Sequence, residues 1–282
     1  MSSAAKPTPK PVVGFVGLGS QGGPMARRIV EAGFPLVLWA RRAEALAAYA
    51  DTAARTALDL DDLGAHCDIV AICVVDDAGV RQVFDAVLPA MRPGTRVIIH
   101  STIHPDTCKT LAAEAAALGV ALVDAPVSGG GPGAAAGTLT VMVGGAEADV
   151  AAVRPVFETF SGLIAHLGGV GAGQLAKLVN NAQMAANMAI ADAGLGAAAA
   201  LGLDRAAYVD LVKASSGRSF GFDVRARLPD VALFGHGAKL LEKDVGLLSA
   251  VLENDPDVER LRAAAQLFLE RIARLQVQGV PR

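Results

Sequence analysis

The sequence predicts an α/β chain of two domains, with a helix-wrapped parallel sheet in the first half and helices alone in the second. Short β-rich apolar runs alternate with alanine-rich segments up to about residue 168, which is how βαβ units read. Past the cluster Gly168-Gly169-Val170-Gly171-Ala172-Gly173 no further strand is legible, and alanine- and leucine-rich segments run on to the C terminus. A length of 282 residues, 52% of them hydrophobic and 19% charged, suits two modest domains with a sizeable core.

The expected strands are 12–16, 36–39, 69–74, 96–99, 120–123, 138–143 and 163–166, each a short run rich in Val, Ile or Leu. Between them 24–31, 43–49, 78–87, 105–118 and 147–157 read as helices, several opening on proline or an acidic residue, as at Pro24, Pro105 and Glu147. A long helix follows from about 174 to 201. Its stretch 185–203 approaches the ~20 residues of a membrane span but carries Asn187, Asp192 and three glycines, so it reads as a buried helix and no membrane partner is expected. Residues 1–11 are polar and proline-rich without an apolar signal core, and are expected to form a flexible arm. The domains are then 12–168 for the nucleotide-binding part and 169–282 for the helical part.

A net charge of -3, from 25 Lys+Arg against 28 Asp+Glu with no long basic run, gives no electrostatic footprint for nucleic acid and favours a small-molecule ligand. Cys67, Cys73 and Cys108 cannot all pair and lack zinc-site spacing, which points to a reducing, cytoplasmic compartment.

The first chemical motif is Gly17-Leu18-Gly19-Ser20-Gln21-Gly22, set between a strand and a helix. That context is what a dinucleotide fingerprint requires: Gly17 for the tight turn, Gly19 for backbone approach to a pyrophosphate, Gly22 for helix-strand packing. A ligand-free glycine turn is the competing reading. At the end of the second strand, where NAD enzymes carry an acid for the ribose hydroxyls, this chain has Trp39-Ala40-Arg41-Arg42 and no carboxylate before Glu44. Two guanidinium groups suit a 2′-phosphate, so NADP is expected, with NAD possible. A solvated arginine pair would look the same.

Four ordered segments carry a family resemblance: Gly14-Phe15-Val16-Gly17-Leu18-Gly19, Asp124-Ala125-Pro126-Val127-Ser128-Gly129-Gly130, 137–145, and Lys177-Leu178-Val179-Asn180-Asn181. In these the chain resembles the β-hydroxyacid dehydrogenases, which include 3-hydroxyisobutyrate and tartronate semialdehyde dehydrogenases. The resemblance extends to Lys243-Asp244. It implies an N-terminal Rossmann-type doubly wound sheet, an all-helical C-terminal domain, and NAD(P)-dependent alcohol oxidation or aldehyde reduction.

Consecutive glycine amides after Ser128 can form an anion nest, so Ser128, Gly129 and Gly130 are candidates for a substrate carboxylate, as the resemblance also implies; a flexible surface loop is the alternative. Thr102, after Ser101 at a strand end, resembles the family's residue beside the nicotinamide, although a threonine there also suits a helix cap. Val74, Val75 and Gly79 match the loop near the adenosine half, or are simple packing. Lys177 and Asn181, four apart with Gln174 one turn upstream, share a helix face expected to look into the domain cleft. A lysine whose pKa is lowered by burial or nearby positive charge can exchange a proton with a substrate hydroxyl, and the resemblance gives Lys177 this role, with Asn181 positioning substrate or lysine. Lys243 matches a late cofactor contact, or is one of an exposed pair. Departures from the family pattern are Gln21, His100 and His104. The two histidines are four apart, but Pro105 and the strand context argue against a metal face, and no metal is expected.

The reading is thus an NADP-dependent oxidoreductase moving a hydride between nicotinamide and a small β-hydroxy acid or its semialdehyde. Small residues and excess apolar surface in the second half, with the family habit, point to a homodimer or homotetramer. An imine reductase on the same scaffold commonly replaces the lysine kept here. A non-catalytic NADP-binding protein would be expected to lose Lys177 or the serine-glycine segment.

Overall fold

The computed structural model describes residues 9–277; the expected arm lies outside these as far as residue 8. Of its remainder, Lys10 donates to the Ala32 carbonyl and sits 4.6 Å from the centre of the Phe34 ring. The chain divides into two compact units between Lys177 and Leu178.

The first unit contains, in order, β1 (Val13–Val16), α1 (Gly22–Glu31), β2 (Leu36–Trp39), a 3-10 helix (Ala43–Tyr49), β3 (Arg55–Thr56), α2 (Leu60–His66), β4 (Ile69–Ile72), α3 (Asp77–Val87) and β5 (Arg96–Ile99). It continues through α4 (Pro105–Ala117), β6 (Ala121–Asp124), β7 (Val127–Ser128), α5 (Gly130–Ala136), β8 (Leu139–Gly144), α6 (Glu147–Phe157) and β9 (Ser161–Gly168) to the start of α7 (Ala172–Ala200). Strands β3-β2-β1-β4-β5-β6 lie in that order, all parallel. Because successive strand residues face opposite sides, each apolar run feeds two cores. Phe15, Leu38, Ala71 and Ile98 pack on one face with Met25 and Ile29 of α1 and Val153 and Phe157 of α6. Val16, Val37, Ile72 and Ile99 pack on the other with Leu63 of α2, Phe84 of α3 and Leu111 of α4. The sheet is doubly wound.

It is not parallel throughout: β8 runs antiparallel to both β6 and β7, and β9 returns parallel to β8. β6 and β7 run on in one direction through Ala125-Pro126 along the same partner, and the chain reverses between β7 and β8, through α5. The segment 43–49, expected as a helix, forms one of the 3-10 type.

The second unit holds the rest of α7, then α8 (Arg205–Ala214), α9 (Phe220–Arg227), α10 (Gly235–Val251) and α11 (Pro256–Val277). Leu178, Ala182, Ala185, Met188 and Ala189 of α7 recur at helical spacing and pack with Leu241, Val245 and Leu248 of α10 and Phe268, Leu269 and Ile272 of α11. Asp192, the acid inside this apolar helix, is buried and gripped by Arg225 of α9 (2.7 Å) and Arg271 of α11. No described helix is long and apolar enough to cross a membrane.

His100 follows β5 and lies inside the first core. Its ring stacks on Phe15 at 6.2 Å and meets Phe157 and Phe160 edge-on. Nδ1 donates to the Ala125 carbonyl (2.7 Å), and Nε2 has no hydrogen-bond partner among the described residues. Burial pushes the imidazole down to about 4, so the ring is neutral. An unfolded chain takes up this proton near pH 6.5 and the folded chain only near 4, so stability falls as pH drops through that window, by about 3 kcal/mol in all. Urea unfolding at a series of pH values from 7 to 4.5 should show this slope. In His100→Phe the slope should flatten, even though orphaning the Ala125 carbonyl costs about 1–3 kcal/mol at neutral pH.

Candidate active site

The glycine loop fills the gap between the carboxyl ends of β1 and β4, where the strand order switches direction and α/β sheets bind ligands. Gly17 has φ +101°, and a Cβ there would lie 2.0 Å from the Cys73 carbonyl oxygen, so only glycine lets the loop fold onto β4. At Gly19 the same construction meets nothing within 4 Å, which leaves open room directly over the backbone. Helix α1 starts at Gly22, two residues earlier than expected, with no side-chain cap from Gln21 and no acid in its first turn. The Gly23 amide donates to the Gly19 carbonyl (2.9 Å) and Pro24 has no N–H, so what this turn offers an anion is the positive end of the helix dipole. A pyrophosphate fits this cradle formed by Gly17, Leu18, Gly19, Ser20, Gln21 and Gly22.

The other residues expected of the cofactor site in the first unit follow neighbouring strand ends. Arg41 and Arg42 are exposed just beyond β2, whose Trp39 is in register with Val16 of β1. The Val74 amide donates to Ser101 Oγ (2.8 Å), tying the turn after β4 to the turn after β5, which carries the half-buried Thr102. Asp76 caps α3 through the Gly79 amide (2.9 Å), and Val75 is exposed.

Ser128 closes the short strand β7, and the glycines after it form the first turn of α5 rather than a loop. Of these glycines Gly129 and Gly130, at φ +128° and +66°, take backbone conformations that favour glycine. Ala134-Ala135-Ala136 favour the helix, and Gly137 ends it in the left-handed conformation. A Cβ on Gly131 would lie 2.6 Å from the Ser20 carbonyl, so the serine-glycine segment is packed against the pyrophosphate loop.

Helix α7 brings Lys177 to this group. Its N-terminus is held by Asp124, at the end of β6, whose carboxylate accepts from the amides of Gly171 (2.7 Å) and Gln174 (2.9 Å). Burial pushes this carboxyl above its ordinary range, and those amide donors pull it back. Gln174 is fully buried: its Oε1 accepts from the Ile103 amide (3.1 Å) and its Nε2 donates to the Ser101 carbonyl (2.8 Å). Lys177, one turn on, is buried. Asn181, a further turn along the helix, belongs to the second unit, where its amide donates to the buried Asp244, which also pairs with Lys243 (3.0 Å). Sequence reasoning gave no role to Asp124 or Gln174. Asp124 opens one of the resemblance segments and Gln174 shares the Lys177 face, but their partners lie 47 to 73 residues away. His104 caps α4, accepting at Nδ1 from the Asp106 amide (3.1 Å), so neither His100 nor His104 is idle.

Sheet, switch-point loop and buried lysine define a nicotinamide-dinucleotide oxidoreductase. A family model described as the NAD binding domain of 6-phosphogluconate dehydrogenase matches residues 12–168, and one described as NAD-binding of NADP-dependent 3-hydroxyisobutyrate dehydrogenase matches 171–277. Mitochondrial 3-hydroxyisobutyrate dehydrogenase of Drosophila melanogaster is 34% identical over 249 residues, covering 85% of this chain and 77% of the relative. The NAD-dependent L-serine dehydrogenase of Pseudomonas aeruginosa is 36% identical, covering 83% of each chain. The solved Mycobacterium tuberculosis 3-hydroxyisobutyrate dehydrogenase with L-serine superposes with a TM-score of 0.81 at 30% identity, covering 94% of both chains. The chain belongs to the β-hydroxyacid dehydrogenase family and is an NAD(P)-dependent hydroxyacid dehydrogenase.

The two glycines at the start of the fingerprint should fail differently. Gly17→Ala should destabilise the protein by about 3 kcal/mol or more, seen as a lowered melting temperature. Gly19→Val should melt near the wild-type temperature and lose most affinity for a reduced nicotinamide dinucleotide in a fluorescence titration.

Proposed function

We propose that the chain transfers a hydride between NADP and a small carboxylate-bearing β-hydroxy acid or its semialdehyde, with Lys177 as acid and base. The observation that carries this is a buried lysine on a helix whose first turn is fastened to both strand-end segments beside the cofactor loop. Bound nicotinamide supplies the hydride chemistry. In oxidation the neutral Lys177 amine takes the hydroxyl proton, and in reduction the ammonium returns it to the nascent alkoxide. Asn181, itself oriented by Asp244, positions the hydroxyl or the lysine. Ser128 and the Gly129 and Gly130 amides receive the carboxylate, which every substrate of the named relatives carries. Thr102 lies beside the nicotinamide. Val74, Val75 and Gly79 serve the adenosine half, and Lys243 is a further cofactor-binding side chain.

Arg41 and Arg42 favour NADP through its 2′-phosphate, with NAD as a weaker alternative. The retained Lys177 and Ser128 speak against an imine reductase and against a cofactor reader without turnover. Exposed Ile190, Leu201 and Leu211 support a homodimer or homotetramer. The free thiols Cys67, Cys73 and Cys108 support a cytoplasmic setting.

A panel of three- and four-carbon β-hydroxy acids and semialdehydes, followed by nicotinamide absorbance, tests the activity. On the best substrate Lys177→Ala should lose ~10²- to 10⁴-fold in kcat with NADPH affinity little changed. The wild-type oxidation rate should rise with pH and the reduction rate fall. Near-normal turnover by folded Lys177→Ala contradicts the assignment. Replacing both Arg41 and Arg42 by alanine should cost about tenfold in the NADP over NAD preference, equal to about 1.4 kcal/mol, since exposed charge pairs are discounted by solvent. A wild type that binds NAD as tightly as NADP refutes that part.

A further inference from the structure

We propose that Gln174 is a positioning residue that sets Lys177 against Thr102, an inference resting on the acid-base reading of Lys177. Ser101 O and Ile103 N belong to the two peptide groups that flank Thr102, and the Gln174 amide pairs with both, one as acceptor and one as donor. The side chain thus acts as a peptide unit, docked edge-on to the turn after β5. The side chain is shut off from solvent.

Burying an amide is unfavourable unless its polar atoms are satisfied, and a leucine would fill such space with no such demand. What the amide adds is register. Asp124 holds the backbone of this same turn through Gly171 and Gln174, fixing where the helix begins. Gln174 fixes how the helix is rotated, because its side chain leaves on the face that Lys177 shares one turn later. Ser101, gripped on its other side by the Val74 amide, cannot follow if the helix turns. Methionine keeps the shape and loses both bonds, and glutamate keeps the acceptor but donates only when protonated.

The test uses the full chain and the best substrate of the panel above. Gln174→Met should lose about 10- to 100-fold in kcat, the scale of a ~1 Å misplacement, with the NADPH Kd within about twofold of wild type. In a Lys177→Ala background the same substitution should change the residual rate by less than about twofold, because there is no amine left to position. For Gln174→Glu, the ratio of its kcat to the wild-type kcat should rise as pH falls, when the introduced carboxyl regains its donor. A folded Gln174→Met with wild-type kcat overturns the proposal, and so does an equal loss in the Lys177→Ala background. If Gln174→Met does not fold, a pH-independent ratio for Gln174→Glu overturns it. Near-normal turnover by Lys177→Ala alone sinks the acid-base reading itself, and is separable from each of these.

Discussion

The carboxylate of Asp124, buried at the end of β6, accepts from the backbone amides at the start of α7 and so joins the carboxyl edge of the sheet to the helix that carries the lysine. Space for it is cut from the chain: a Cβ on Gly173 would stand 2.8 Å from Asp124 Oδ2 and 2.3 Å from the Met142 carbonyl. The same strand leads through Ala125-Pro126 into β7 and Ser128, so one acid sits between the proposed carboxylate site and the proposed proton carrier. A buried charge is costly unless its oxygens are met, and here backbone amides of a helix terminus meet them.

Five helix termini elsewhere are closed by a side chain from the residue before them: Asp59, Asp76, His104, Asp204 and Ser219 each cap the helix that follows. Helix α1 has no such side chain and no early acid, and the loop before it leaves room above Gly19. An uncapped helix over an open glycine backbone is a site shaped for phosphate. Arg41 and Arg42, proposed to favour NADP, stand exposed one strand away, just beyond β2.

Much of this was legible in the sequence. Strands 36–39 and 96–99 and helix 147–157 match the structure to the residue, because their apolar runs are bounded by clear breaks. The two-residue strands β3 and β7 have no period to read, and α2 went unseen behind the acidic run Asp59-Leu60-Asp61-Asp62. Glycines after Ser128 suggested a loop, whereas the following alanines and the packing of Gly131 on Ser20 make a helix. Contiguous pieces of the site, such as Gly17 to Gly22, announce themselves. Asp124 and Gln174 do not, since each is defined by partners distant in the chain and by burial that only the fold creates.

The most direct measurement is the structure of the ternary complex with NADP and a small β-hydroxy acid. The account predicts Lys177 Nζ within ~2.6–3.2 Å of the substrate hydroxyl, the substrate carboxylate on Ser128 and the Gly129 and Gly130 amides, and the bonds from Asp124 to the start of α7 intact. A complex in which another side chain meets that hydroxyl, with Lys177 turned away from it, contradicts the account.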